Sequence, residues 1–496
     1  MKSVLLLYPH QLYPLHDLPK VDTVMMINEP LYYGLDSQLP RRVHKQKLIL
    51  HRASMRRYAE EVLWPAGFKV DYIELDVFAK SGDIFERVSK AEQIYIIDPT
   101  DDVLTRRLLQ ARRERPELPN VTFLPSPNFY LKEEEVRQYF TERHKHPFAE
   151  FYQWQRERFN VLIGDNYKPV GGKWAFEAKA QKLAPNVVLP SFPVFGDNKF
   201  VTEALAWVAE HFPDNPGSSE FIWPTNHSEA QIWLHDFLEN RIDDYGTYQE
   251  TLSSQAPWLY HSLLEGSLNI GLLKPQEIIQ AALARHAARP VPLQSLESFI
   301  RQVLGWREYV RGIYLHQATA LRAQNPFNHH RKLTGAWYTA TTGLPPLDNL
   351  IKKISGHAYA HSAERCMIAG NLMILCEIEP SQICQWQQEL LIDAYDWTVV
   401  TDVNSMSQFD AWDDAGGGKA YIAPSSAVLD ISDYDRGVWS DIWDGLFWRF
   451  IEKHQSSLSK SPRMRVMARR LDRLDADHKR IIYYRAEDFL RQHTSL

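Results

Sequence analysis

Five short apolar runs, SVLLLYP, DTVMMIN, KVDYIEL, EQIYIID and NVTFLPS, recur through the first 130 residues, each flanked by turn-forming residues and separated by segments of helical, often basic, periodicity. Continuous apolar runs of this length suit strands buried on both faces, and their alternation with helices predicts a parallel sheet covered on both sides. Such sheets bind ligands beyond the carboxyl ends of their strands. Here the first two runs are followed by His10-Gln11 and Asn28-Glu29. No GxGxxG sequence is present, so the dinucleotide fingerprint is absent.

Between 131 and 224 the periodicity weakens. FYQWQRERFNVLIGDNYKPVGGKWAF starts helical and ends in Lys-Pro and Gly-Gly, and LAPNVVLPSFPVFGDN is Pro-rich and extended. A connector this long wraps a domain or carries function. From 225 to 496 the pattern is helical throughout, with Ser/Asp starts and Gly/Pro stops. The expected plan is an α/β domain at 1–130, an interdomain connector at 131–224 and an all-α domain at 225–496.

Within the helical part, HAYAHSAERCMIAGNLMILCEIEPSQICQWQQELLIDAYDW (357–397) mixes apolar periodicity with polar residues that a core does not need. Leu372, Leu375 and Ile378 predict one helix. Glu379-Pro380 breaks it, and Pro380-Ser381 starts a second that runs through Trp386, Leu390 and Leu391. His361, Arg365 and Asn371 then fall on the first helix and Asp393 on the second. These groups admit two readings: a structural ion pair beside a hydrogen-bonded histidine, or an Arg and an Asp that together orient a flat, polar-edged ligand.

Composition narrows the class. The chain's 496 residues, 44% of them hydrophobic, are enough for two substantial cores. A formal net charge of −6 means that any nucleic-acid contact must use a local basic face. The dense basic stretch RRVHKQKLILHRASMRRYAEE (41–61) leaves open a solvated helix face or a functional basic surface. Cys366, Cys376 and Cys384 sit in apolar helical context without CxxC spacing, which points to a reducing compartment, packing as small hydrophobes and no thiolate metal site. No apolar run reaches about 18 residues, and the N-terminus lacks the signal-peptide order, so a cytoplasmic, soluble protein is expected. Many of the 15 tryptophans follow residue 250, which suits tight packing, stacking on flat ligands or electron hopping.

The 357–397 stretch, together with RQVLGWREYVRGIY (301–314) and YHSLLEGSLNIGLL (260–273), resembles the photolyase/cryptochrome superfamily, and HAYAH resembles its prokaryotic (6-4) photolyase branch. The similarity runs from the first strand to about residue 450. It implies a Rossmann-like antenna domain, a long linker and a helical FAD-binding domain. It also implies a monomeric flavoprotein that repairs UV-damaged DNA by light-driven electron transfer to a flipped lesion. The alternative within the superfamily is a cryptochrome-like blue-light photoreceptor with a signalling partner and no DNA chemistry.

The resemblance assigns FAD to Tyr248, His261, Ser262, Leu263, Leu264, Gln302, Arg307, Arg365, Asn371 and Asp393, with the Ser262 hydroxyl and the Leu263-Leu264 backbone on the pyrophosphate. Trp306, His361 and Tyr421 fall at the lesion, and Trp386, Trp337 and Tyr338 on the photoreduction relay. Gln11 and Glu29, the latter in EPLYYG, match contacts to a 6,7-dimethyl-8-ribityllumazine antenna, although Pro9-His10 replaces the usual Gly-Asp. Other positions depart from the branch. Its four cluster cysteines correspond to Pro346, Asp435, Val438 and roughly Asp441, so no iron–sulfur cluster and no metal are expected. Its second histidine, which protonates the lesion, is Ser362; a second lesion tyrosine is Ala427; its Trp-Tyr relay pair is Trp386-Gln387; and the position facing flavin N5 is Val399.

Overall fold

The computed structural model describes residues 2–496 except 78–79, 119, 144–145, 178–179, 185, 197, 408–421 and 459–461, and omits the side chains of 77, 404–407, 457–458 and 462–465. The five apolar runs form one parallel sheet: β1 (Ser3–Leu7), β2 (Thr23–Ile27), β3 (Lys69–Ile73), β4 (Gln93–Ile97) and β5 (Asn120–Leu124), in the order β3-β2-β1-β4-β5. Val4 of β1 registers with Thr23 on one side and Ile94 on the other. Strand order reverses at β1, the switch point where open α/β sheets form a crevice. The central strands are buried on both faces as expected, but the edge strands are not. Lys69 and Asp71 of β3 and Asn120, Thr122 and Phe123 of β5 are exposed, because an edge strand has one neighbour and lies at the rim of the helical layers.

The basic stretch differs most from its sequence reading. The Lys45–Tyr58 helix is not a solvated face: Lys47, His51 and Arg52 are buried along with its apolar residues. Lys47, His51, Arg52 and Arg57 each have a partner distant in sequence. Arg52 pairs with Glu74 at 2.8 Å and Glu203 at 2.6 Å, and Arg57 with Glu61 at 2.9 Å and Glu229 at 2.5 Å. Lys47 Nζ donates to the Ala394 carbonyl at 2.5 Å, and His51 Nε2 shares a 2.8 Å hydrogen bond with the Tyr395 hydroxyl. At the helix start, His44 Nε2 donates to Ser355 O and Gln46 Nε2 to Gly356 O. The helix is thus both a cover for the sheet and a platform under the 355–356 and 391–395 segments.

One apolar cluster joins the sheet to the helices His227–Asn240, Pro275–Ala288 and 293–323, and a second unites Leu252, Phe327 and Trp337 with residues between Leu344 and Leu490. The connector wraps the helical part. Buried Arg156 holds its irregular stretch by donating to Val161, Trp174 and Leu162 carbonyls at 3.1, 2.8 and 2.6 Å, and Phe176 N–H donates to Glu297 Oε2 at 2.8 Å. Among the described residues, no helix is long and apolar enough to cross a membrane.

The 357–397 stretch holds more breaks than its periodicity suggests. A helix ends at His357, Ala358 takes a left-handed conformation at φ 54°, and the chain runs extended to His361, which occupies the N-cap position of a helix over 362–375. Pro380–Leu390 forms the next helix and Asp396–Ser407 another. His361 therefore caps its helix instead of riding on it, and Asp393 sits in the connection after the second helix. The Ile392 N–H to Ala358 O bond, 2.9 Å, ties these two irregular points together.

Burial pushes Lys47 down to about 7. Between about pH 7 and about 10.4, the ordinary lysine value, the unfolded chain binds a proton that the folded chain does not, so this group makes stability rise with pH across that window. Lys47→Met is expected to flatten that rise. Urea titrations of both proteins at the two ends of the window measure it, and equal pH dependence would place Lys47 outside the buried contact.

Candidate functional site

The breaks in 357–397 gather polar groups around one cavity of about 290 Å³. Arg365, in the first turns of the 362–375 helix, places Nη2 at 2.9 and 2.8 Å from the two Asp393 carboxylate oxygens and Nε at 2.6 Å from Ala360 O. Burial works against the guanidinium charge, but Asp393 outweighs it and holds the Arg365 proton more tightly than usual. The Asp393 carbonyl accepts from Asn269 Nδ2 at 2.9 Å, and Asn269 Oδ1 accepts from Arg307 Nη1 at 2.5 Å. Arg307 lies against the Phe129 and Trp397 rings, 4.9 and 4.8 Å from their centroids. Its Nε and Nη2 have no protein partner, and burial lowers it to about 10. An unbroken polar chain, Arg365–Asp393–Asn269–Arg307, thus borders the cavity.

Both long helices that wall the cavity contain a wide turn. Arg307 N–H bonds back five residues to Gln302 O, and Asn371 N–H to Cys366 O. Such turns cluster at functional sites because they bulge the backbone outward. Here Gln302, Trp306, Arg365 and Cys366 of the two bulges line the space.

Of the residues assigned by sequence, His261, Ser262, Leu264, Gln302, Trp306, Arg307, His361, Arg365 and Asp393 line this cavity. Ser362 lines it too, its Oγ 4.0 Å from Cys366 Sγ. Leu263, left-handed at φ 55°, is buried in the core. Tyr248 stacks on Tyr260, ring centroids 5.2 Å apart, away from the lining. The Asn371 amide closes on Ala423, donating at 2.9 Å and accepting at 3.3 Å. Trp386 and Trp337 are fully buried and linked by Trp386 Nε1 donating to Trp337 O at 2.9 Å, while the Tyr338 hydroxyl donates to Glu389 at 2.9 Å. Val399 is core. Tyr421 lies outside the described residues.

Gln11 and Glu29 lie at the carboxyl ends of β1 and β2, apart from this cavity. The Gln11 amide is spent on the backbone, accepting from Tyr8 N–H at 3.2 Å and donating to Ile97 O at 2.9 Å. Glu29 accepts from Ser81 Oγ at 2.8 Å through Oε1, leaves Oε2 without a protein partner, and is pushed by burial to about 7.

The lining residues that sequence reasoning did not assign include Asn269, Tyr359 and Asp402. Burial raises the Asp402 carboxyl to about 7 against the pull of Arg365. The positions of Asn269 inside YHSLLEGSLNIGLL and of Tyr359 inside HAYAH hinted at a role, whereas an isolated Asp in a helical pattern carries no signal.

The family described as "deoxyribodipyrimidine photo-lyase-related protein" matches residues 5–223. A "(6-4) photolyase" of Agrobacterium fabrum is 29% identical over 475 residues, covering 90% of this chain and 91% of that one. Along most of its length the chain is similar to members of the photolyase/cryptochrome superfamily. Two solved structures share the superfamily fold along nearly the whole chain. A bacterial class III photolyase from Agrobacterium tumefaciens aligns at TM-score 0.54 and 15% identity, covering 97% of this chain and 91% of that one. A cryptochrome from Synechocystis sp. aligns at 0.55 and 14%, covering 99% of each. The α/β sheet followed by a helical part is the superfamily architecture. An uncharacterised protein of Acanthamoeba polyphaga mimivirus is also similar, 30% identical over 203 residues that span all of it and 39% of this chain.

Asp393→Ala should destabilise the protein by about 3–5 kcal/mol, because it strands a buried Arg365 charge. Replacing both partners by apolar residues (Arg365→Met with Asp393→Leu) should cost less than the single change. Urea denaturation checks both, and a double variant weaker than the single would mean that the pair does not act as a charge couple.

Proposed function

We propose that the chain is an FAD-dependent, light-driven DNA photolyase of the (6-4) type. The observation that carries this reading is the polar chain from Arg365 through Asp393 and Asn269 to Arg307 along one cavity, in a protein similar over nine-tenths of its length to a (6-4) photolyase. The residues fit the cofactor. The Arg365–Asp393 pair offers both donor and acceptor edges to a flat polar ring, and the unpartnered buried donors of Arg307 suit acceptors or negative charge on a ligand. FAD, when bound, supplies the light-absorbing electron donor. Arg365 and Asp393 hold and orient it, while Trp306 offers a stacking face to an extruded base and His361 a nitrogen at the cavity wall. DNA approaches through a local basic face, and the protein acts as a cytoplasmic monomer.

Iron–sulfur chemistry does not belong to this reading. Pro346, Asp435, Val438 and Asp441 offer no thiolate, and burial pushes the Cys366 and Cys384 thiols up to about 12, where they stay protonated. An antenna chromophore at the sheet fits Glu29, whose Oε2 is unpartnered, and not Gln11, whose amide is already spent.

Ser362 favours a second reading, a cryptochrome-like receptor, since an aliphatic hydroxyl cannot act as an acid near neutral pH. The discriminating experiment takes the absorption spectrum of the purified protein for flavin, then illuminates it with a (6-4)-damaged oligonucleotide and a reductant. Slow repair is expected, and Ser362→His should raise it by about 100-fold or more, the usual worth of general acid catalysis. Fast wild-type repair that survives His361→Ala would remove His361 from the reaction. Flavin photoreduction without repair in either protein would replace the photolyase by the receptor.

A further inference from the structure

Behind the cavity wall lies a cluster of ionisable side chains that electron transfer does not use. His361 is buried with neither ring nitrogen in a hydrogen bond. Its Nε2 lies 3.5 Å from Glu364 Oε2, one helical turn on, and that oxygen also lacks a hydrogen-bond partner. The other Glu364 oxygen takes Lys353 Nζ, which reaches over from the Pro345–His357 helix and also donates to Ser253 O. His261 sets its ring perpendicular to that of His361, centroids 4.3 Å apart, with Nδ1 unpartnered. The two histidines line the cavity; Glu364 and Lys353 stand behind them.

We propose that Glu364 and Lys353 are positioning residues that set the charge on His361: the Glu364 carboxylate is the counter-charge for a His361 imidazolium, and Lys353 is the cation that competes for it. A carboxylate behind a histidine stabilises the imidazolium and fixes which nitrogen faces outward. With Lys353 already on Glu364, the imidazolium is held weakly. The other charges around the cluster do not compensate. Arg365 is committed to Asp393, Arg241 donates to the His261 carbonyl and pairs with Asp236, and the neighbouring Tyr359 and Tyr434 phenols are kept neutral by burial. Burial, then Lys353 and Arg365, push His361 well below its ordinary value. An imidazolium formed here is therefore a strong acid. When an electron reaches a ligand in the cavity, the outward N–H bond breaks, its electron pair stays on the ring, and the proton bonds to the electron-rich ligand atom. Because the ring holds a proton weakly, hydronium from the solvent recharges it, so this transfer grows as pH falls. The device supplies what Ser362 cannot, and its use, though not its existence, rests on the photolyase reading.

The test titrates the histidine Cε1 carbon by NMR in protein labelled at that atom, with His361→Asn assigning the signal. In the wild type, His361 should titrate well below the ordinary histidine value of about 6.5. Removing the competing cation with Lys353→Met should raise its midpoint by about 1–3 units, the effect of a charge at this range, while Lys353→Arg should leave it in place. Glu364→Gln, which keeps shape, should lower it further or abolish titration above about pH 4. If Lys353→Met does not fold, Lys353→Gln replaces it. A midpoint unmoved by the lysine variants, or moved the same way by the Lys353 and Glu364 variants, would overturn the proposal and leave the cluster as packing. If the midpoints move as stated but no variant repairs DNA, the photolyase reading fails and the charge couple stands.

Discussion

The structure depends on burying a basic helix. Withdrawing Lys47, His51 and Arg52 from water is costly unless each finds a partner, and the partners are contributed by strand ends, the connector and, most tellingly, the 391–395 connection. Lys47 and His51 grip Ala394 and Tyr395, the residues next to Asp393. Asp393 in turn fixes Arg365, and its carbonyl fixes Asn269. The position of the cavity's central ion pair is therefore determined from the α/β sheet's own cover, through a loop that has no regular structure to hold it.

This arrangement explains what could be read from sequence. The sheet was legible because β1, β2 and β4 are apolar runs whose meaning does not depend on context. The Lys45–Tyr58 helix was not, because its charges are answered by Glu74, Glu203 and Ala394, which no local pattern reveals. The same stretch would be a solvated face in a protein lacking those partners. In 357–397 the apolar spacing correctly marked helical segments, but the left-handed turn at Ala358 left no trace, since non-glycine residues take that conformation only when tertiary contacts compensate for it. That turn puts His361 at a cap instead of on a helix face, and Asp393 lies in a connection because the second helix stops at Leu390.

The site was legible mainly by resemblance. Spacing alone left the Arg365–Asp393 pair open between a structural and a ligand-holding role, and the geometry now adds the observation that the pair is one end of a longer polar chain. Residues such as Asn269 and Asp402 matter because of their place around the cavity, and neither residue type is unusual in a helical protein. Conversely, Asn371 and Gln11 have the chemistry expected of ligand contacts and spend it on Ala423 and on the ends of strands.

The wide turns at 301–306 and 365–370 carry a consequence for how the cavity can change. Each accommodates an extra residue within a helical turn, so the residues after it are rotated relative to those before it. The outline of the cavity is thereby written in the backbone, while its chemistry is written in side chains such as Ser362, Gln302 and Asp402. A lineage can exchange those side chains, and with them the reaction, without losing the space in which it occurs. Deleting a single residue from either bulge would do the reverse: it would keep the composition of the wall and turn its polar groups into the core.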